Sequence, residues 1–208
     1  MSSLYLKKVG ILGGTFDPVH LGHLLIAETA LQQFNLDQII WVPTYQSPHK
    51  TREPLAFNYR WEMLQGAIAD HSAFIASNVD QKRGGISYAI STFNDLQTFY
   101  PDVCWYWIVG IDAFQSLPKW RNSFEIASQS IWLVAPRNQK SAEAIGLTVT
   151  NALSKQAVQL QWHLLDMPQI EISSSLIRQY CYEGRSLRYL VPEAVSVYIA
   201  THNLYRKL

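Results

Sequence analysis

Short apolar runs closed by glycine or proline alternate with stretches of helical periodicity. This alternation restricts the fold more than any other feature of the chain. Lys8-Val9-Gly10-Ile11-Leu12 reads as a buried strand running into glycines. Leu24, Ala27, Leu31 and Phe34 recur at helical spacing, which predicts a helix over 21–34. Gln38-Ile39-Ile40-Trp41-Val42 is a second strand, stopped by Pro43. Two short strands joined through a helix make a βαβ unit, which favours a parallel sheet with right-handed crossovers. The pattern continues with helices over 57–69 and 87–99 and strands over 73–76, 105–109 and 131–134. A weaker helix over 142–154, a strand near 158–164 and closing helices over 173–183 and 192–203 complete it.

The expected fold class is therefore α/β: a Rossmann-like doubly wound parallel sheet. A single domain over residues 1–208 is expected, with a small C-terminal helical portion. Ligands of such sheets sit at the carboxyl ends of the strands. The polar motifs discussed below follow predicted strands, in agreement with that rule.

Composition removes several classes of function. A formal net charge of +1 leaves no basic face for long nucleic acid. Cys104 and Cys181 are far apart, which supports neither a disulfide framework nor a cysteine-based zinc site. Cys104 lies in the apolar run Val103 to Trp107 and is expected to be a buried thiol. Met1 to Lys8 lacks the apolar core of a signal peptide, and no apolar run approaches the roughly 18 residues of a membrane helix. The expectation is a cytoplasmic protein without membrane partners.

Gly13-Gly14-Thr15-Phe16-Asp17-Pro18-Val19-His20-Leu21-Gly22-His23 is the first constellation that carries chemistry. The glycines are expected to turn the backbone tightly and let it approach a ligand. His20 and His23, three apart, would share a face at a helix start, where N–H groups and the helix dipole attract anions. No glutamate separates them as in H-E-x-x-H, and G-x-G-x-x-G is absent, so neither a zinc site nor a dinucleotide fingerprint fits. A phosphate undergoing substitution suits this pair of imidazoles. Glu171-Ile172-Ser173-Ser174-Ser175-Leu176-Ile177-Arg178 is the second constellation. Its serines read as a helix cap, and Arg178, one turn in, could reach an anion held at that helix start.

The first segment resembles the T/HxGH signature of the nucleotidyltransferase superfamily. In its GGTFDPVHxGH form it resembles the bacterial nicotinate mononucleotide adenylyltransferase family. The second segment is similar to that family's ISSTxxR motif, with Ser175 in place of threonine. The resemblance implies that His20, His23 and Arg178 are catalytic, binding ATP phosphates and stabilising charge at the α-phosphorus. It places Gly13, Gly14, Thr15, Phe16, Gly22, Ile172, Ser173, Ser174 and Ser175 in the same ATP site. Gly110 and Asp112 match a GxD segment of that ATP site, with Asp112 accepting hydrogen bonds from a ribose. For the mononucleotide it implies His49 and Lys50 in a loop similar to PPHK. Ser87, Tyr88 and Ala89 stand where the family has SYT, and Trp120 would stack on the pyridine ring. Arg137 is implied for the mononucleotide as well, in a segment that matches RPG imperfectly, with Asn138 instead of glycine.

The implied reaction joins ATP and nicotinate mononucleotide into nicotinate adenine dinucleotide and pyrophosphate, in NAD biosynthesis. Mg²⁺ would arrive with ATP, and no protein-held metal site is expected. A homo-oligomer is compatible with this reading. Nicotinamide mononucleotide as acceptor, another nucleotidyltransferase activity of the superfamily and a nucleotide-binding regulator without catalysis are the competing readings.

Overall fold

The computed structural model describes residues 6–48 and 52–206. Six strands form one parallel sheet: β1 (Lys7–Gly14), β2 (Gln38–Pro43), β3 (Phe74–Ala76), β4 (Val103–Gly110), β5 (Ile131–Ala135) and β6 (Gln161–Leu164). Their spatial order is β3-β2-β1-β4-β5-β6. The chain first winds outward from β1 through β2 and β3. It then returns to place β4 on the other side of β1. The crevice between β1 and β4 is therefore the topological switch point, where open α/β sheets bind ligands.

The helices are α1 (Leu21–Phe34), α2 (Phe57–Ile68), α3 (Val79–Arg83), α4 (Ala89–Phe99), α5 (Ile111–Ser116), α6 (Ser123–Ser128), α7 (Gln139–Ser154), α8 (Ser174–Tyr182) and α9 (Glu193–Thr201). Successive side chains of a strand point to opposite faces, and here both faces are apolar. Leu12, Trp41, Ile108 and Leu133 join one core with Ala27 of α1, Leu64 of α2, Ile177 of α8 and Val195 of α9. Ile11, Ile40, Trp107 and Trp132 join the other with Phe93 of α4, Phe114 of α5, Ile126 of α6 and Leu153 of α7. Burial on both faces explains why the strands read as continuous apolar runs.

The structure departs from the sequence reading at three places. First, β1 runs on through Gly13 and Gly14, which pair with Val42 and Pro43. Second, α3, α5 and α6 were not expected, because five or six residues are too few to display a helical period. Third, Cys104 is half-buried near the start of β4, whereas Cys181 is the buried thiol. Among the described residues, no helix is long and apolar enough to cross a membrane.

Candidate active site

A cleft of about 940 Å³ opens at the carboxyl ends of β1 and β4. The volume lies within the usual range of ligand pockets, roughly 300–1,000 Å³. Its floor is Leu12 to Gly14 of β1 with Thr15 just beyond, and Trp107 to Asp112 from β4 and α5.

The turn after β1 is not made by the glycines. Neither Gly13 nor Gly14 has a positive φ; Phe16 does, at 48°, ahead of a cis Asp17–Pro18 peptide. Gly14 is needed for a different reason: a Cβ there would lie 2.9 Å from the Phe16 ring. A Cβ at Gly13 would meet nothing within 4 Å, so this part of the floor is bare backbone open to a ligand.

His20 is the N-cap of α1, and His23 lies on its first turn. Their rings stack with centroids 3.6 Å apart, and Phe16 meets His23 edge-on at 5.1 Å. The His20 amide donates to Nδ1 of His23 at 3.3 Å. When neutral, His23 must then carry its proton on Nε2. His20 is 6% exposed, and its Nδ1 has no hydrogen-bond partner among the described residues. Burial pushes this imidazole down from 6.5 to about 4, so it is neutral at pH 7. Gly22 makes the packing possible, since a Cβ there would lie 3.1 Å from Nδ1 of His20. One expected property of the α1 start is reduced, because the Leu21 amide is already bonded to the Leu190 carbonyl at 3.0 Å.

A folded-state pKa below the unfolded one means that the unfolded chain binds more protons between the two values. His20 therefore adds stability that is fully present above pH 6.5 and lost as pH falls toward 4. The loss amounts to about 3 kcal/mol. His20→Asn is expected to flatten that part of the stability profile. Urea unfolding of both proteins at pH 7 and pH 4.5 measures it, and equal losses would argue against the burial of His20.

Asp17, 4% exposed, gathers the surrounding cations. Its carboxylate accepts from Arg52 Nη2 at 2.5 Å, from the Tyr205 hydroxyl at 2.8 Å and from the Leu55 amide at 3.4 Å. Arg178 Nη1 donates to the Asp17 carbonyl at 2.7 Å and lies 3.8 Å from the carboxylate. Burial and then the Asp17 charge raise the Tyr205 hydroxyl pKa well above the usual phenol range. Arg60, 1% exposed, donates to the carbonyls of Leu55, Thr15 and Thr44 at 2.7, 2.7 and 2.9 Å. It thereby holds together the loops after β1 and β2 and the approach to α2.

The three serines have separate tasks. Ser173 caps α8, its hydroxyl accepting from the Leu176 amide at 3.2 Å. Ser174 Oγ donates to the Pro18 carbonyl at 2.9 Å, which ties α8 to the loop before α1. Ser175 Oγ accepts from Arg178 Nη2 at 3.0 Å. The first-turn amides of Ser174 and Ser175 have no intrahelical partner. Burial and the neighbouring Arg52 lower the Arg178 pKa, while Asp17 opposes the shift.

Farther along the cleft, Ser87 Oγ accepts from the Tyr45 amide at 2.9 Å, and the Ser87 amide donates to the Gln46 carbonyl at 2.8 Å. Gly84 and Gly85, at φ 73° and 68°, supply the left-handed backbone that leads the chain there. Tyr88 caps α4, and Ala89 begins it. Trp120 is half-buried, with Nε1 donating to Ser116 Oγ at 2.9 Å. It ends a 3₁₀ turn instead of lying in an open loop. Asp112 and Arg137, expected to contact different substrates, instead pair with each other at 2.6 Å.

Of the residues expected from sequence, Gly13, Gly14, Thr15, His20, Gly22, His23, Ser87, Tyr88, Ala89, Gly110, Asp112, Trp120, Arg137, Ile172, Ser173, Ser174, Ser175 and Arg178 line this one cleft. Phe16 does not: it is 1% exposed and packs on His23 and Trp41. His49 and Lys50 lie outside the described residues; Ser47 and Pro48 before them line the cleft. The sequence reading missed Asp17 as an acceptor, together with Arg52, Arg60, Arg121 and Tyr205. Arg60 alone had a legible signal, a charge on the apolar stripe of Phe57, Leu64, Ala67 and Ile68.

A family model described as cytidylyltransferase-like matches residues 11–180. A Trichormus variabilis protein named probable nicotinate-nucleotide adenylyltransferase is 49% identical over 205 residues, covering 96% of this chain and 98% of that protein. A protein of the same name from Desulfitobacterium hafniense is 38% identical over 205 residues, covering 96% of each chain. The solved nicotinic acid mononucleotide adenylyltransferase of Plasmodium falciparum, complexed with NaAD, has a TM-score of 0.76 at 16% identity. The match covers 96% of this chain and 97% of that one, and it shows the shared fold. The chain belongs to the cytidylyltransferase-like group and, within it, to the nicotinate-nucleotide adenylyltransferase family.

Proposed function

We propose that this protein transfers the adenylyl group of ATP to nicotinate mononucleotide, giving nicotinate adenine dinucleotide and pyrophosphate in NAD biosynthesis. The observation that carries this reading is the gathering of His20, His23, Arg178 and the α8 start in one cleft with Tyr88 and Trp120. The first group suits a triphosphate; the second suits a planar ring.

A phosphate oxygen of the mononucleotide attacks the α-phosphorus. The bond to the bridging oxygen breaks, and pyrophosphate departs with the electron pair. The nucleophile is already ionised near neutral pH, so no strong base and no covalent enzyme intermediate are required. The protein supplies in-line positioning and compensates the charge that builds on the phosphoryl oxygens. Neutral His20 offers an N–H donor without the cost of burying a charge. His23 offers Nε2–H, Arg178 a fixed cation, and the α8 start two amides and a helix dipole. The hydrogen bond from Ser174 to the Pro18 carbonyl keeps the α8 and α1 starts at a set separation. Asp112 and Arg137 exchange their mutual contact for substrate ribose and phosphate. Mg²⁺ would accompany ATP and add to the neutralisation of its phosphate charge.

A coupled pyrophosphate-release assay with both pyridine mononucleotides tests the assignment. The acid is expected to show a kcat/KM at least about tenfold above that of the amide, a difference of ~1.4 kcal/mol. Equal or better turnover of the amide overturns it.

A further inference from the structure

We infer that Arg121 is the specificity-determining residue of the acceptor site, its guanidinium selecting a ring carboxylate over the corresponding neutral amide. This rests on the proposed pyridine mononucleotide reading and adds the residue that would enforce the choice.

Arg121 is held in place from both sides. The Trp120 amide before it donates to the Leu117 carbonyl at 3.0 Å, and the Ser123 amide after it donates to the Trp120 carbonyl at 3.2 Å. Asn122, at φ 51°, turns the chain into α6 at this point. The Arg121 side chain reaches across to Tyr88, its Cζ lying 4.8 Å from the ring centroid. That cation–π contact restricts an exposed arginine to one direction. Arg121, Tyr88, Ala89 and Trp120 all line the cleft.

The neutral groups nearby separate an acid from an amide less sharply than a charge does. Aromatic rings such as Tyr88 and Trp120 would contact the π-face of a pyridine, which is alike in both. A single first-turn amide of α4 can donate to a carboxylate oxygen or to an amide carbonyl, while a pair of them meets two acceptors only in the acid. Ala89 has no polar side-chain atom. A fixed charge sharpens the distinction, because a charged donor binds a carboxylate more strongly than a neutral donor does.

The charges along this wall favour an anion. Among the described residues, neither Lys119 nor Arg121 forms an ion pair. The two carboxylates that line the cleft nearby are compensated before substrate enters. Asp80 accepts from Arg83 at 2.7 Å and from the Thr92 hydroxyl at 2.6 Å, and Asp112 is paired with Arg137. Arg121 is the cation of this wall that lies against Tyr88. A guanidinium can also present two parallel donors to a carboxylate, a geometry that an amide group cannot match with two acceptors.

The test compares the wild type with Arg121→Gln and Arg121→Lys, using nicotinate and nicotinamide mononucleotides at saturating ATP. Arg121→Gln is expected to lower the acid-to-amide ratio of kcat/KM about tenfold, mainly through KM for the acid, the size of one charge-assisted contact. Arg121→Lys, which keeps the charge, should recover a substantial part of the ratio. Added salt should raise KM for the acid more in the wild type than in Arg121→Gln. A wild type that prefers the acid, combined with an unchanged ratio in Arg121→Gln, overturns the assignment of Arg121 and leaves the reaction intact. Equal loss on both acceptors also overturns it, since Arg121 would then serve the shared part of the substrate. A wild type without acid preference instead defeats the underlying reading of the acceptor.

Discussion

Replacing His20 with alanine is expected to lower kcat for pyrophosphate release by about 10²–10³-fold, the usual cost of one preorganised donor to a developing oxyanion. The expectation comes from burial. His20 is 6% exposed, stacked on His23 at 3.6 Å and neutral at pH 7. An imidazole kept uncharged in a confined site needs no counter-ion before substrate arrives, and it gains most when negative charge appears beside it. KM for the mononucleotide should change much less than kcat, because the interaction strengthens in the transition state. Steady-state kinetics with both substrates varied would show this. A variant that loses only affinity for ATP, with kcat intact, would reduce His20 to a ground-state binding residue.

The second large effect is expected at Asp17. Alanine there removes the carboxylate shared by Arg52, Arg178, Tyr205 and the Leu55 amide. Arg52 is 53% exposed at its side chain, so its ion pair is screened by solvent and contributes little. The buried members matter more. Arg60 is 1% exposed and draws on the Asp17 charge, and the Tyr205 hydroxyl would be left without its acceptor. Loss of one partner from such a buried group costs about 3–5 kcal/mol. For a chain of this size that lowers Tm by roughly 10 °C. Asp17→Asn keeps two polar atoms and should lose less. Thermal melts of the three proteins decide the matter; a shift under about 2 °C for alanine would mean that the cluster is not a stabilising unit.

The two predictions differ in how visible their residues are before folding. His20 belongs to a contiguous run with glycines and a second histidine at fixed offsets, and the α8 serines likewise sit together. Local spacing is enough to expose such groups, because a helix start organises neighbours in sequence. The strands were legible for a similar reason, since burial on both faces leaves continuous apolar runs. Short helices such as α5 and α6 were not, because they are held by the sheet beneath them and not by a period of their own.

Asp17 is different. It lies in the motif, yet its acceptor role depends on Arg52, on Arg178 and on Tyr205, which is 188 residues away. Spacing carries no record of such contacts. The same holds for Phe16, whose place in the motif suggested a ligand contact but whose positive φ turns the ring into the core.

The glycine-histidine segment and the serine run pointed to phosphate chemistry from sequence alone, because each is a local arrangement of donors at a helix start. Only the packed fold decided how they work together. The Ser174 hydroxyl binds the Pro18 carbonyl across 156 residues, and the Ile172 carbonyl lies 3.6 Å from where a Gly22 Cβ would stand. The fold also laid Arg121 against Tyr88. Those contacts arise from satisfying buried polar groups and filling space between elements distant in the chain, and a linear pattern cannot specify them.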